Sequence, residues 1–169
     1  GTEQERQFIK AQALVFRAYS YTQLVQFYAY RWADSNNGTL VAKRNNGVVI
    51  KTEENMEESD IPLSPPIDVY NQIYEDLDNA ISLFNSSGLD RANNWEPNID
   101  VANAVYARAA LNRQDYGVAA TRAAAARADY PLMSNSEYFE GFSNPNKEWI
   151  WGSYGGEDQT LYFYGFHSY

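Results

Sequence analysis

Few residues of this 169-residue chain are suited to covalent or acid–base chemistry. His167 is the sole histidine and there is no cysteine, so neither a Ser-His-Asp relay nor a thiolate or imidazole metal cluster can be built with any redundancy. His167 reads as a histidine in an aromatic loop. Glu148, Glu157 and Asp158 are the carboxylates that a glycoside-cleaving pair would draw on, but such a pair needs a set separation across a cleft, which spacing alone does not supply. No glycine-rich phosphate loop is present, and the isolated glycines follow turns. Glu53 to Asp60 holds five acidic residues in eight and reads as a solvated excursion, with a divalent-cation site as the lesser alternative. Asn37-Gly38-Thr39 and Asn85-Ser86-Ser87 fit the N-glycosylation pattern, which arises often by chance. No active site, metal or cofactor is expected.

The aromatic residues offer a different chemistry. A flat ring stacks on the apolar face of a sugar while Asn, Gln and Asp side chains take its hydroxyls, and Tyr and Trp combine an apolar body with a polar handle. With 14 Tyr and 4 Trp the chain is rich in both. The candidates for a ligand platform are Trp32 at the exit of the first helix, Trp95 in a linker, and the late group Tyr154, Tyr162, Tyr164, Phe166 and Tyr169. Trp149 and Trp151 stand two apart on an expected strand and read as core.

Composition narrows the class. A formal charge of -9 and a pI near 4.5 argue against a nucleic-acid binder, which needs a basic face to displace counterions, and against adhesion to anionic lipid. No apolar run approaches the roughly 20 residues of a membrane-spanning helix. At 44% hydrophobic and 21% charged, the chain has globular proportions.

The elements that must position these rings are helical. Thr2 and Glu5 form a capping box that opens a helix to about Tyr30, with Phe8, Ala11, Val15, Ala18, Thr22, Val25 and Ala29 as one stripe. Other apolar residues around the wheel predict neighbours on more than one side. From Arg31 to Ser64 the pattern breaks, with Asn36-Asn37-Gly38 and Asn45-Asn46-Gly47 as turns and Thr39–Arg44 and Val48–Thr52 as candidate short strands. Ser64-Pro65-Pro66 starts a second helix to about Phe84, stopped by Asn85-Ser86-Ser87-Gly88.

Residues 100–131 predict two alanine-rich helices joined by Asn112-Arg113-Gln114-Asp115. Tyr116, Ala119, Ala123, Ala126 and Pro131 fall at the offsets of the second half of a tetratricopeptide (TPR) repeat, with Ala107 at its small position and Ala110 where an aromatic is usual. Ala80 and Phe84 match Ala119 and Ala123 at an offset of 39 residues, a period of about 34 plus an insertion around Trp95. Two stacked hairpins follow. Beyond Pro131, Ser136–Phe139 suggests one helical turn and Glu148–Ser153 a short strand. The fold class is all-α: TPR-like hairpins of about four main helices within a single domain over 1–169, interrupted by a loop insertion at 31–64 and ending in an irregular aromatic-rich segment at 132–169.

Four stretches in order, AQALVFRAYSYTQLVQFYAY, VYNQIYEDLDNAISLF, VANAVYARAALNRQDYGVAATRAAAAR and NKEWIWG, resemble the SusD/RagB family of outer-membrane nutrient-binding lipoproteins of Bacteroidetes. The similarity covers roughly residues 5 to 152. It implies a non-enzymatic, cell-surface, lipid-anchored protein that captures oligosaccharides, or in some members peptides, for a SusC-like TonB-dependent transporter, with the TPR side facing that transporter. Against the family pattern the chain reads as the TPR-containing portion, without the lipidated N-terminal segment and the C-terminal half. The family supplies no catalytic residues. The alternative is a TPR scaffold for protein partners with no sugar site in this segment.

Overall fold

The computed structural model describes residues 1–32, 47–141 and 146–152. Helix α1 (Glu3–Tyr28) is opened by the expected box: Thr2 Oγ1 accepts from the Glu5 N–H at 3.2 Å and Glu5 Oε2 accepts from the Thr2 N–H at 2.7 Å. Its buried residues Ala11, Leu14, Val15, Ala18, Tyr21, Thr22 and Val25 recur at helical spacing and define the face turned inward. Helix α2 (Pro66–Ser87) begins on a proline, whose missing N–H costs nothing in the first turn. It runs three residues past Phe84 and stops at Gly88, where φ is +65° and a side chain would be strained.

Helices α3 (Ile99–Asn112) and α4 (Tyr116–Ala126) form the second hairpin. Asn98 caps α3 by accepting from the Asp100 and Val101 N–H groups, and Asp115 caps α4 through the Val118 N–H. Between them Gln114 takes φ +64°, with its N–H bonded to Leu111 O and the Asp115 N–H bonded to Ala110 O. This is the closing pattern usually supplied by glycine. A short α5 (Asn135–Phe139) follows, boxed by Ser134 and Glu137.

The hairpins are α1 with α2 and α3 with α4, and they stack through α2 against α3 and α1 against α3. Val15, Val69, Ile73, Leu77 and Val101 are fully buried where they meet, each contributing about 1.5–3 kcal/mol over exposure. Ala102, Ala109 and Ala110 are also fully buried, and their small side chains let the backbones approach. Helix α4 is tied back by Arg122, which bonds Asp78 of α2 at 2.9 Å and lies over the Tyr106 ring of α3. Phe8 meets Phe84 edge-on, and Trp151 meets Phe16 and Tyr19, so α1 has neighbours on more than one side.

No strand forms among the described residues, and in each place other partners take the backbone groups. At Val48–Thr52 one closed pair of backbone bonds joins Gly47 and Val48 to Ser64, and Gly47 is required there because an added Cβ would lie 2.5 Å from the Ser64 carbonyl. The ladder stops because both backbone groups of Lys51 bond the Tyr21 hydroxyl, and the Thr52 N–H bonds Asn55 Oδ1. At 148–152 the side chain and carbonyl of Asn146 take the N–H groups of Glu148 and Trp149, winding a turn in place of a strand. The candidate strand Thr39–Arg44 lies outside the described residues. Helix α1 also ends two residues short of Tyr30.

Candidate functional site

Of the nominated platform residues, Trp32 and Trp95 are described. Tyr154, Tyr162, Tyr164, Phe166 and Tyr169 lie outside the described residues, as do His167, Glu157 and Asp158. Trp32 is half-buried just beyond α1, its ring edge-on to Tyr70 of α2 at 5.4 Å between centroids. The guanidinium of Arg113, from the α3–α4 turn, lies over the same ring at 5.2 Å and over Tyr74 at 4.7 Å. Trp32 is thus held from two sides by the helical body.

Around it is a groove of about 480 Å³, within the size range of small-ligand sites. The end of α1 supplies Gln26, Tyr30 and Arg31 follow it, and the α3–α4 turn supplies Asn112, Gln114 and Tyr116. Tyr116 is 63% exposed and Tyr30 58%, so both rings present surface to a ligand. Asn112 Nδ2 is buried without a hydrogen-bond partner among the described residues. Burial pushes the Tyr70 hydroxyl above its ordinary pKa while the charge of Arg113 pulls against it. Rings beside side-chain amides make a surface for stacking on a sugar and bonding its hydroxyls. Of this groove the sequence nominated Trp32 alone. Tyr116 had been assigned a role in the repeat, and Tyr70 stands beside the apolar stripe of α2, so neither showed itself as a lining residue.

Trp95 is exposed in the linker but does not line this groove. Its carbonyl accepts from the indole Nε1 of Trp151 at 3.1 Å, and the Gly152 N–H bonds Asn94 O at 3.2 Å. Trp151 is half-buried against Tyr19 at 5.2 Å and Phe16 at 5.8 Å. With Ile150 it fills part of the groove between α1 and α3, leaving about 400 Å³ bounded by Tyr19, Val101, Val105 and Arg108. Trp149 is also half-buried, its ring beside Gly152. Glu148 holds the Met133 N–H at 2.7 Å, which gives this carboxylate a backbone-fixing role.

A second polar cluster escaped sequence reading. Arg17 of α1 makes a two-point contact with Asp76 of α2, Nε to Oδ2 at 2.8 Å and Nη2 to Oδ1 at 2.6 Å, and reaches Glu53 at 3.1 Å. Gln72 donates to Asp76 as well, and Asp76 is 1% exposed. These bonds to Asp76 raise the Arg17 pKa further, and Glu53 is held below the usual carboxylate range by its own backbone N–H and by Arg17. The acidic excursion therefore pairs one exposed carboxylate, Glu53, with Arg17 of α1. Its Lys51 ammonium is held by the carbonyls of Asn55, Met56 and Glu58, and no group of three or more acidic or histidine side chains among the described residues is placed to hold a metal.

Two stacked hairpins carrying a groove lined by rings and amides define a helical-repeat domain. The model of a family described as SusD-like, starch-binding and associating with the outer membrane matches residues 1–111. Among solved structures, a SusD-like carbohydrate-binding protein from Bacteroides vulgatus is 30% identical with a TM-score of 0.80, over 99% of this chain and 34% of that one. The chain belongs to the SusD-like family and spans about a third of the length of that relative. No curated protein matches it.

Proposed function

We propose that this chain is part of a non-enzymatic glycan-capture protein of an outer-membrane import system, and that the groove at Trp32 contributes to sugar binding. The carrying observation is the coincidence of SusD-like family membership with a groove that combines Trp32, Tyr30 and Tyr116 with the amides of Gln26, Asn112 and Gln114. In this reading the full-length protein is lipid-anchored at the cell surface and hands oligosaccharides to a SusC-like TonB-dependent transporter. Single stacking sites bind weakly, and a polymer gains by engaging several. No helix among the described residues is long and apolar enough to cross a membrane.

Native affinity electrophoresis of the chain through gels holding a polysaccharide panel tests this reading. Retardation by at least one glycan, reduced about threefold to tenfold in affinity by Tyr116→Ala, is expected, since aromatic stacking is worth about 0.5–1.5 kcal/mol beyond area burial. Tyr116 is the cleaner variant because Trp32 also packs on Tyr70. A fold intact by circular dichroism with no retardation would count against sugar binding at the groove. The scaffold alternative requires an open repeat groove, and the groove between α1 and α3 is partly filled by Ile150 and Trp151.

A further inference from the structure

The charges around the groove name the class of glycan. The chain carries 22 acidic residues against 13 basic ones, yet no Asp or Glu lines the groove among the described residues, whereas Arg31 does. Arg113 adds a second guanidinium over Trp32. Half-buried Arg17, Arg122 and Arg91 bond Asp76, Asp78 and Tyr130, whereas half-buried Arg113 is held by the Trp32 and Tyr74 rings and Arg31 is exposed. Neither Arg31 nor Arg113 has an ion pair among the described residues. Asp115 of the α3–α4 turn caps α4 by accepting from the Val118 N–H and does not line the groove.

We infer that the groove is built for an anionic glycan, one carrying uronate carboxylates or sulfate esters. This rests on the sugar-binding reading above and adds the charge. Guanidinium is the side chain suited to planar or tetrahedral oxyanions, presenting several donors in a fixed fork. In an otherwise negative protein an anion is repelled by the overall field, so a local positive pole flanked by rings selects a ligand that carries both a sugar face and a charge. Arg31 takes the charged group at the rim, and the ring stacks against Trp32 and Tyr116.

The test is isothermal titration of the chain with oligogalacturonate and its methyl ester, and with chondroitin sulfate and its desulfated form. Tight binding of oligogalacturonate lost in the ester assigns carboxylate; binding of chondroitin sulfate lost on desulfation assigns sulfate. Arg31→Gln, at an exposed position, is expected to weaken the anionic ligand at least tenfold and to weaken it more than a neutral glycan, and affinity should fall as salt rises. Equal binding of charged and neutral forms, unmoved by Arg31→Gln but reduced by Tyr116→Ala, would overturn the anionic assignment and keep the sugar groove. Binding of none of the four probes would overturn the assignment outright, and loss of every glycan in the electrophoresis panel would take the sugar groove with it.

Discussion

The hydroxyl of Tyr21 donates to the carbonyl of Lys51 at 2.8 Å and accepts from the N–H of the same residue at 2.6 Å. A phenol is donor and acceptor at once, so one buried side chain of α1 satisfies both backbone groups of a loop residue. Tyr21→Phe strands both groups and is expected to lower unfolding free energy by about 1–3 kcal/mol. Amide exchange over residues 48–58 should speed up. Unchanged exchange there, read by mass spectrometry, would show that the loop is held without this clamp.

Arg17 and Asp76 set up a second expectation. Asp76→Ala leaves a half-buried guanidinium without its main partner, and removing one side of a buried pair costs about 3–5 kcal/mol. The low end applies here, because Arg17 keeps Glu53. An apolar double replacement, Arg17→Met with Asp76→Leu, should cost less than the single change. Urea midpoints compare them, and a double variant weaker than the single would refute the buried-charge explanation.

Alkaline pH addresses the tyrosines of the α2–α3 contact. Tyr74 and Tyr106 are each pushed up to about 12, chiefly by burial, with Asp115 adding for Tyr74 and Asp78 for Tyr106. An unfolded tyrosine loses its proton near pH 10, so between about 10 and 12 the unfolded state holds fewer protons and stability falls as pH rises. The Tyr74 hydroxyl has no hydrogen-bond partner among the described residues. Tyr74→Phe should therefore be neutral or stabilising at pH 7 and flatten part of the alkaline loss. Melting temperatures from pH 8 to 12 decide the point.

Gln114 carries backbone strain. A non-glycine residue in the left-handed region costs about 1–2 kcal/mol, partly recovered by the entropy glycine loses on folding. Gln114→Gly is expected to stabilise by about 0.5–1 kcal/mol, with Gln114→Ala giving no gain. Equal midpoints for the two variants would disprove the strain.

Legibility followed the local code. The Thr2–Glu5 capping box, the proline start of α2, the Gly88 stop and the alanine hairpin were all visible, because each is settled within a turn or two of chain. The strand expectations failed because period-two alternation does not report which partner takes the backbone N–H groups. Tyr21 is distant in sequence from Lys51, and its hydroxyl ended the ladder. The groove was legible only at Trp32, since Tyr70 comes from α2 and Tyr116 from the start of α4, and they meet Tyr30 and Trp32 through packing. The Arg17–Asp76 pair was hidden for the same reason: each residue alone reads as an ordinary surface charge.

The lodging of Trp151 between α1 and α3 joins the two ends of the described chain, against Tyr19 near the start and the Trp95 carbonyl midway. A contact that closes so long a loop is slow to form. On the ribosome the four helices emerge and pair first, while the flank of α1 around Phe16 and Tyr19 waits uncovered. The helical body is finished by a segment made after all four of its helices, and a nascent chain stalled before Trp151 would leave the Phe16 and Tyr19 rings without that cover.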